Sequence, residues 1–185
     1  RRFDALSALA QREAAERALK RLRELNPENY FGIYGAVEYA IEYSREAEAR
    51  SAAAEMEARH PEQGALVRAL LPWIFDKNAA DDAAARNALR LLPATEAVKF
   101  LVARQDIDAY LEYLESAGPL IQTYVFAYMY VSKPTGQAML RDPRIKARLV
   151  EYGFVNYWRA KGWPKGCRPL SDDEFECGIQ PNGAP

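Results

Sequence analysis

Two helix-stopping prolines, 34 residues apart, constrain the fold of this chain more than any other feature. Pro27 lies in the sequence LNPEN, and Pro61 lies in the related sequence RHPEQ. Proline disfavours helical geometry in the residue before it, so each proline predicts the end of a helix. The stretches around them carry apolar residues at helical spacing and are rich in Ala, Glu, Arg and Leu. The sequence therefore predicts an all-α chain built from pairs of helices.

The same 34-residue offset relates small residues inside the helices. Ala15 and Ala49 each lie twelve residues before a closing proline, and Leu19 and Ala53 occupy the next apolar position. A 34-residue period with a closing proline and small second-helix residues resembles the tetratricopeptide repeat. The Trp, Leu-Gly and Tyr positions typical of its first helix are largely missing. The resemblance implies a right-handed superhelical array of helix hairpins.

Further helices follow between Gly and Pro residues. Pro72 is expected to kink or split the helix that contains it. Residues 120–132 alternate aromatic and aliphatic side chains as a strand would, but no second strand candidate is evident elsewhere, so they are predicted as a buried helix. The predicted helical spans are 1–26 (one helix or two), 28–44, 45–60, 64–77, 81–92, 95–104, 107–116 and 120–132.

The C-terminal residues carry strong local signals. A single helical turn is predicted over 137–141. Asp142 is placed to cap a helix that begins at Pro143. Gly153 is expected to end that helix, and an aromatic helix containing Trp158 follows and ends at Gly162. We interpret 1–135 as degenerate helical repeats and 136–185 as a capping segment, both within one structural unit, in which Trp158 covers the apolar end of the last repeat.

The C-terminal sequence also carries a family resemblance. The runs LRDPRIKARL, YGFVNYWRAKGWPKGCRPL and DDEFEC resemble the C-terminal end of bacterial tetratricopeptide-containing regulators. These include membrane-tethered winged-helix transcriptional regulators and adenylate-cyclase-like or TolB-like proteins. The resemblance implies a sensor or interaction module of a larger protein, with the catalytic or DNA-binding domain far upstream. It assigns no catalytic residue to this chain.

Cys167 and Cys177 are the only cysteines, and the nine residues between them form a polar loop. A disulfide there would contribute about 3 kcal/mol by the loop-entropy argument and would favour an oxidising compartment such as the periplasm. The alternative is two free thiols in a cytoplasmic protein. Two cysteines and the distant His60 do not form a four-ligand zinc pattern, so no metal site is expected. His60 is interpreted as a polar helix-end residue.

Charge and motifs exclude several function classes. The 25 basic and 26 acidic residues nearly cancel, so the sequence predicts no direct nucleic-acid partner. No apolar run is long enough for this segment to cross a bilayer. A phosphate-binding glycine loop and a nucleophile–base pair are both absent, so we expect no catalytic residue and no cofactor. The sequence predicts a noncatalytic module with a protein or peptide partner.

A peptide-binding groove follows from the repeat resemblance. In tetratricopeptide arrays the first helix of each pair lines a concave groove that binds peptides. Glu38 and Glu42 share one helix face with no basic residue between them, so the groove is expected to prefer basic or polar peptides. The groove residues, transferred by position, are Phe31, Tyr34, Glu38, Ile41 and Glu42.

The sequence leaves two alternatives to a peptide-binding function. The chain could instead be a homodimerisation domain, or an enzyme whose polar residues cluster only in the fold. The tyrosines expected to form the dimer surface are Tyr39, Tyr43, Tyr124, Tyr128 and Tyr130.

A basic patch is expected either to face an acidic tail or to remain a separate solvated surface. The patch is Arg141, Arg144, Lys146 and Arg148, and the tail is Asp172, Asp173, Glu174 and Glu176.

Overall fold

The computed structural model describes residues 12–76, 83–116, 134–164, 166–171 and 174–177. Within these ranges most residues are helical, in agreement with the predicted all-α class. The predicted helix at 120–132 lies outside the described residues. The helices are α1 (Arg12–Leu25), α2 (Tyr30–Glu42), α3 (Glu46–Arg59), α4 (Pro61–Phe75), α5 (Ala83–Leu91), α6 (Ala94–Arg104), α7 (Ile107–Ser116), α8 (Pro134–Met139), α9 (Pro143–Glu151) and α10 (Phe154–Lys161), and the strands are β1 (Cys167–Pro169) and β2 (Phe175–Cys177).

Backbone contacts divide the chain into two compact units between Arg104 and Gln105. Among the described residues, the first unit contains α1–α6, and the second contains α7–α10 with the two strands. The boundary predicted between residues 135 and 136 falls inside the second unit and stays a prediction.

The core of the first unit lies where α3 packs between α2 and α4. Small alanines on α3 allow this close packing, and Gly64 of α4 lies at the closest approach of α3 and α4. A Cβ atom at Gly64 would lie 2.7 Å from the carbonyl carbon of Met56 and nearer still to the backbone of Glu57. By contrast, a Cβ atom at Gly32 would make only ordinary contacts with side chains of α1. Fully buried core side chains include Ile33, Val37, Ala53, Met56, Val67, Leu70 and Leu71.

The predicted stop at Asn26–Pro27 is confirmed, because α1 ends at Leu25 and α2 begins at Tyr30. Asn29 caps α2, since its side-chain oxygen accepts a hydrogen bond from the Gly32 N–H at 3.1 Å.

The prediction was wrong at the start of α4, and of the two outcomes expected at Pro72, a kink or a split, the structure excludes the split. α4 begins at Pro61 rather than at residue 64, because proline fits the first helical position, where no N–H donor is needed. Only His60 separates α3 from α4. Pro72 does not split the helix, which continues to Phe75. It lies in the last turn, so the hydrogen bond it removes leaves the preceding turns intact.

The helix signals of the second unit are confirmed. The Asp142 side chain accepts a hydrogen bond from the Arg144 N–H at 2.8 Å, and Pro143 is the first residue of α9. Gly153 (φ +77°) separates α9 from α10, and Gly162 (φ +109°) follows the end of α10. Both angles are ones that glycine adopts without strain. The short helix predicted over 137–141 begins earlier, at Pro134.

The segment between the cysteines is a β-hairpin rather than an irregular loop. β1 pairs antiparallel with β2, and Cys167 lies opposite Cys177. Their sulfur atoms lie 2.00 Å apart, at disulfide distance, as the sequence predicts. Arg168 and Glu176 form an ion pair across the two strands. The prediction that the chain lacked paired strands was wrong, because three-residue strands are too short to show alternation.

An aromatic cluster forms the core beside this hairpin. The ring of Trp158 lies 5.6 Å from that of Trp163 and 5.7 Å from that of Phe175, measured between centroids. Trp158 is 3% exposed and is therefore a core residue of the second unit. Its predicted role as a cap over the last repeat stays a prediction.

Two arginines of α9 pair with carboxylates at the two ends of α9 and with carboxylates on α7. Arg144 lies 3.2 Å from Asp142, and Arg148 lies 2.9 Å from Glu151. Arg144 lies 2.5 Å from a carboxylate oxygen of Asp108, and Arg148 lies 3.2 Å from one of Glu115. Lys146 lies over the ring of Phe175 at 5.5 Å. Carboxylates on α7 and α9 thus partly neutralise Arg144 and Arg148, and the expectation that this patch faces the acidic tail stays a prediction. The tail residues outside the described part of the chain are Asp172 and Asp173.

Candidate binding surfaces of the first unit

The predicted groove residues all lie on α2, but only one of them is largely exposed. Phe31 is 71% exposed, whereas Tyr34 is 3% exposed and Ile41 is buried. Glu38 and Glu42 are partly buried. A ligand can reach Phe31 directly, but it can reach Tyr34 only if the helix that covers this residue moves. The peptide-binding role of the five residues stays a prediction.

Helix α6 covers this face of α2. The Lys99 ammonium lies 2.7 Å from Glu38 Oε1 and 5.2 Å from the centroid of the Tyr34 ring. The Phe100 ring meets that of Tyr34 edge-on, at 6.3 Å between centroids. Because Lys99 neutralises Glu38, this surface has one fewer available carboxylate than the sequence indicated. The argument for basic peptides at this face is correspondingly weaker.

A polar contact at Tyr30 also joins α2 to α6. The Tyr30 hydroxyl lies 3.0 and 3.1 Å from the two carboxylate oxygens of Glu96 and donates to that carboxylate. Burial raises the pKa of the Glu96 carboxyl, and the Tyr30 hydrogen bond opposes that rise. Burial and the nearby Glu96 charge raise the pKa of Tyr30 well above its ordinary value. Tyr30 therefore keeps its proton at neutral pH and acts as a hydrogen-bond donor.

His60 packs beside this contact. Its ring meets the Tyr30 ring edge-on at 5.3 Å between centroids. Among the described residues, no hydrogen-bond partner lies within reach of the buried His60 Nε2 atom. His60 occupies the helix-end position that the sequence indicates, between α3 and α4.

The first unit also contains an open groove that sequence reasoning missed, here called the α1–α3 groove. It encloses about 590 Å³. The charged faces of α1 and α3 form its walls, and apolar residues of α1, α2 and α3 form its floor. The lining residues are Glu16, Leu19, Lys20, Arg23 and Glu24 from α1, Pro27, Ala36 and Tyr39 from the α1–α2 loop and α2, and Arg45, Glu48, Ser51, Ala52 and Glu55 from the start and body of α3.

Ion pairs join the two walls at both ends of the groove. Glu16 Oε1 lies 3.7 Å from the Arg45 guanidinium, and Arg23 pairs with Glu55. Residue numbers rise in the same order along both walls, so α1 and α3 run parallel. The Tyr39 hydroxyl donates to Glu16 at 2.9 Å and fixes that wall to the floor. These contacts fix the positions of α1 and α3 on either side of the groove.

Apolar side chains form the floor of the α1–α3 groove. Leu19 and Ala52 are buried, and Ala36 beside them is partly buried. Their small size, apart from Leu19, leaves room above the floor. Burial and, to a smaller extent, the hydrogen bond to Glu16 raise the pKa of Tyr39. The phenol therefore remains protonated at neutral pH. A ligand here would meet an apolar base between charged walls.

The walls of the α1–α3 groove are slightly acidic. Four lining carboxylates outnumber three lining cations. Arg45 is shared, since it lies 3.1 Å from Glu48 in addition to its contact with Glu16. Outside the lining, Arg21 lies 3.3 Å from Glu24 and neutralises part of this excess, so the net negative charge of the groove is small and the groove suits a polar ligand that can pair with its carboxylates. Sequence reasoning missed it because that reasoning followed the helix that became α2, whereas this groove lies between α1 and α3. The one available signal was the row of charged residues along one face of α1.

The proposed tyrosine dimer surface is only partly described. Tyr39 is buried against α1. Tyr43 is partly buried, and the Arg12 guanidinium lies 4.5 Å from its ring centroid. These two tyrosines therefore pack mainly within their own chain, while Tyr124, Tyr128 and Tyr130 lie outside the described residues. Self-association stays a prediction.

Within the described ranges, no cluster of three or more His, Cys, Asp or Glu residues is placed to hold a metal ion. In the same ranges, every helix is too short or too polar to span a bilayer. Comparisons of the chain with protein-family models, with curated proteins and with solved structures found no match. The resemblance to tetratricopeptide regulators therefore rests on the sequence motifs alone.

Proposed function

We propose that this chain is a noncatalytic interaction module that binds an extended basic or polar peptide in the α1–α3 groove. In this proposal it is a degenerate tetratricopeptide-like array from the C-terminal part of a larger bacterial regulator. The observation that carries the proposal is the open groove between two parallel helices with charged walls and an apolar floor.

The bounds of α1 and α3 support a repeat. α1 ends at Leu25 and α3 ends at Arg59, so the C-terminal ends of these two helices are offset by 34 residues. Ala15 and Ala49, the equivalent small residues, are both 0% exposed. Two stacked helix hairpins are expected to bury their equivalent residues to the same extent.

The repeat is irregular after α4. In a regular solenoid each repeat contacts only its neighbours. Here α6 contacts α2 as well as α4, although three helices lie between α2 and α6 in the sequence. The proposal therefore assigns repeat geometry to α1–α4 and treats α6 as a helix that closes over the α2 face.

Size and chemistry favour a peptide segment as the ligand. A volume of about 590 Å³ falls within the ordinary range of ligand pockets and accommodates a few residues of extended chain. The floor at Leu19 and Ala52 would contact aliphatic parts of side chains, and the four lining carboxylates would accept hydrogen bonds from Lys, Arg or Ser side chains of the peptide.

Fluorescence anisotropy with three labelled peptides of equal length tests this function. One peptide alternates Lys and Ser, one Glu and Ser, and one Gly and Ser. We expect the Lys/Ser peptide to bind most tightly and to weaken as salt rises, because exposed charges are screened.

A steric variant locates the site. Ser51 is exposed and lines the groove, so Ser51→Trp should fill it and weaken Lys/Ser binding about tenfold or more, equivalent to about 1.4 kcal/mol. Ala54 is also exposed on α3 but lies outside the lining, so Ala54→Trp is the matched control and should bind normally. Equal binding of the Lys/Ser and Glu/Ser peptides, or unchanged binding by Ser51→Trp, would contradict the proposal.

A further inference from the structure

The second unit holds its aromatic cluster closed with a hairpin that the two cysteines tie together. We propose that Cys167 and Cys177 form a redox-sensitive clasp. Reduction by a dithiol releases β2, withdraws Phe175 from the cluster and uncovers the indole rings of Trp158 and Trp163. The inference concerns the second unit and does not depend on the peptide-binding proposal.

The position of the cysteines makes them a clasp. At the turn of the hairpin, the Leu170 N–H donates to the Glu174 carbonyl at 2.9 Å. Cys167 and Cys177 form the pair farthest from this turn among the paired residues. The disulfide therefore joins the two strand ends that no turn connects.

The hairpin itself is small. Each strand has three residues, and an isolated two-stranded hairpin is at best marginally stable in water. Beyond the backbone pairing and the disulfide, the contacts that hold it include the Arg168–Glu176 ion pair, an exposed hydrogen bond of 3.5 Å from Arg159 to the Ser171 carbonyl, and burial of Phe175. Loss of the crosslink leaves Phe175 as the main anchor of β2.

Phe175 covers both indole rings. Its ring centroid lies 5.7 Å from that of Trp158 and 5.7 Å from that of Trp163, and Lys146 lies over the ring. Phe175 is buried and lies two residues before Cys177 on the same strand. Displacement of β2 therefore removes the Phe175 ring from both tryptophans and opens an apolar surface.

The difference in exposure between the two cysteines determines which sulfur atom a reductant attacks. Cys167 is partly exposed, whereas Cys177 is buried, so a dithiol thiolate attacks Cys167 Sγ. The sulfur–sulfur bond breaks, and Cys177 leaves as a thiolate that takes up a proton. The second thiol of the reductant, as its thiolate, then displaces Cys167, which also takes up a proton. Two cysteine thiols result, and the dithiol is oxidised to a disulfide.

Hydrogen–deuterium exchange of the full chain, with and without dithiothreitol, tests the clasp. Intact mass first establishes the redox state, because reduction adds two hydrogen atoms. In the reduced chain we expect amides of 167–169 and 175–177 to exchange about tenfold faster or more, with smaller increases near Trp158 and Trp163. Helices α2–α4 should be unchanged, and removal of the reductant in air should reverse the effect.

The double variant Cys167→Ser/Cys177→Ser supplies a second line of evidence. It should reproduce the exchange of the reduced chain without reductant and should not respond to dithiothreitol. If that variant fails to fold, the reversible change in the native chain still decides the question. Three outcomes overturn the proposal: unchanged exchange at 167–177 after verified reduction, an equal increase in α2–α4, or free thiols in the air-oxidised chain.

Discussion

Replacing Gly64 with alanine tests the close packing of α3 against α4. The added Cβ would lie 2.7 Å from the Met56 carbonyl carbon and closer to the Glu57 backbone, whereas ordinary contacts are 3.4–4 Å. Backbone atoms cannot rotate away as side chains can. The two helices must therefore separate by about 1 Å at their closest approach, which disturbs the packed core around them.

The expected magnitude is a difference between two effects. Overpacking costs about 1–3 kcal/mol and sometimes more, and a clash with backbone belongs at the upper end of that range. Alanine is favoured over glycine inside a helix by about 1 kcal/mol, which offsets part of the loss. Gly64→Ala should therefore lower the free energy of unfolding by about 2 kcal/mol.

Gly32→Ala is the matched control. A Cβ atom at Gly32 would lie 3.4 Å from Arg23 Cγ and 3.5 Å from Leu22 Cγ, both in side chains that can adjust. Helix propensity should then dominate, and stability should stay constant or rise by up to about 1 kcal/mol. Urea unfolding followed by far-ultraviolet circular dichroism measures both variants. If Gly64→Ala is as stable as Gly32→Ala, the close approach of α3 and α4 is wrong.

Three further substitutions test other parts of the structure by urea unfolding. Trp158→Ala should cost about 3–5 kcal/mol because the ring is 3% exposed, whereas Tyr157→Ala, at 61% exposed, should change stability by less than about 0.5 kcal/mol; equal effects would contradict the aromatic core. Burial in the folded state raises the pKa of Glu96 above its ordinary value of 4.5, so the folded state binds this proton more tightly than the unfolded state does. The contribution of Glu96 to the free energy of unfolding should therefore fall as pH rises from 4.5 through the folded pKa. Glu96→Gln should remove that pH dependence, and a variant with an unchanged pH profile would refute the assignment. Asp142→Ala should cost about 1 kcal/mol through loss of the helix cap, and Asp142→Asn should restore most of it, since asparagine also accepts the hydrogen bond; identical losses in the two variants would exclude the cap.

Local signals in the sequence predicted helix ends well. Asn26–Pro27, the Asp142 cap and Gly162 each act within one or two residues, so their effect does not depend on distant packing. Pro61 was harder to interpret, because the same residue can follow one helix and begin the next. The sequence marks it as a stop but does not show that a single residue, His60, joins α3 to α4.

Contacts between distant elements could not be predicted in the same way. The 34-residue period paired Ala15 with Ala49 as small residues, and both are fully buried. It did not predict that Lys99, from a later helix, would neutralise Glu38. The repeat rule assumes contacts between neighbours alone, and α6 departs from it. The α1–α3 groove likewise depends on which helices lie side by side rather than on any local motif.

The closest packing also escaped the sequence. Gly32 and Gly64 look alike in the sequence, because both are small residues within helices. Only the crossing of α3 and α4 gives Gly64 its steric role. Sequence pattern thus identifies where helices lie, while the site depends on how they cross.

Amide chemical-shift mapping with the Lys/Ser peptide tests the central claim most directly, because it locates the bound ligand residue by residue. The peptide is titrated into the isotope-labelled chain. If the α1–α3 groove is the binding site, the largest shifts will fall on residues 16–24 and 45–55, and Ser51→Trp will abolish them. Shifts centred on Phe31 and the α2 face, or no saturable shifts, would contradict the claim.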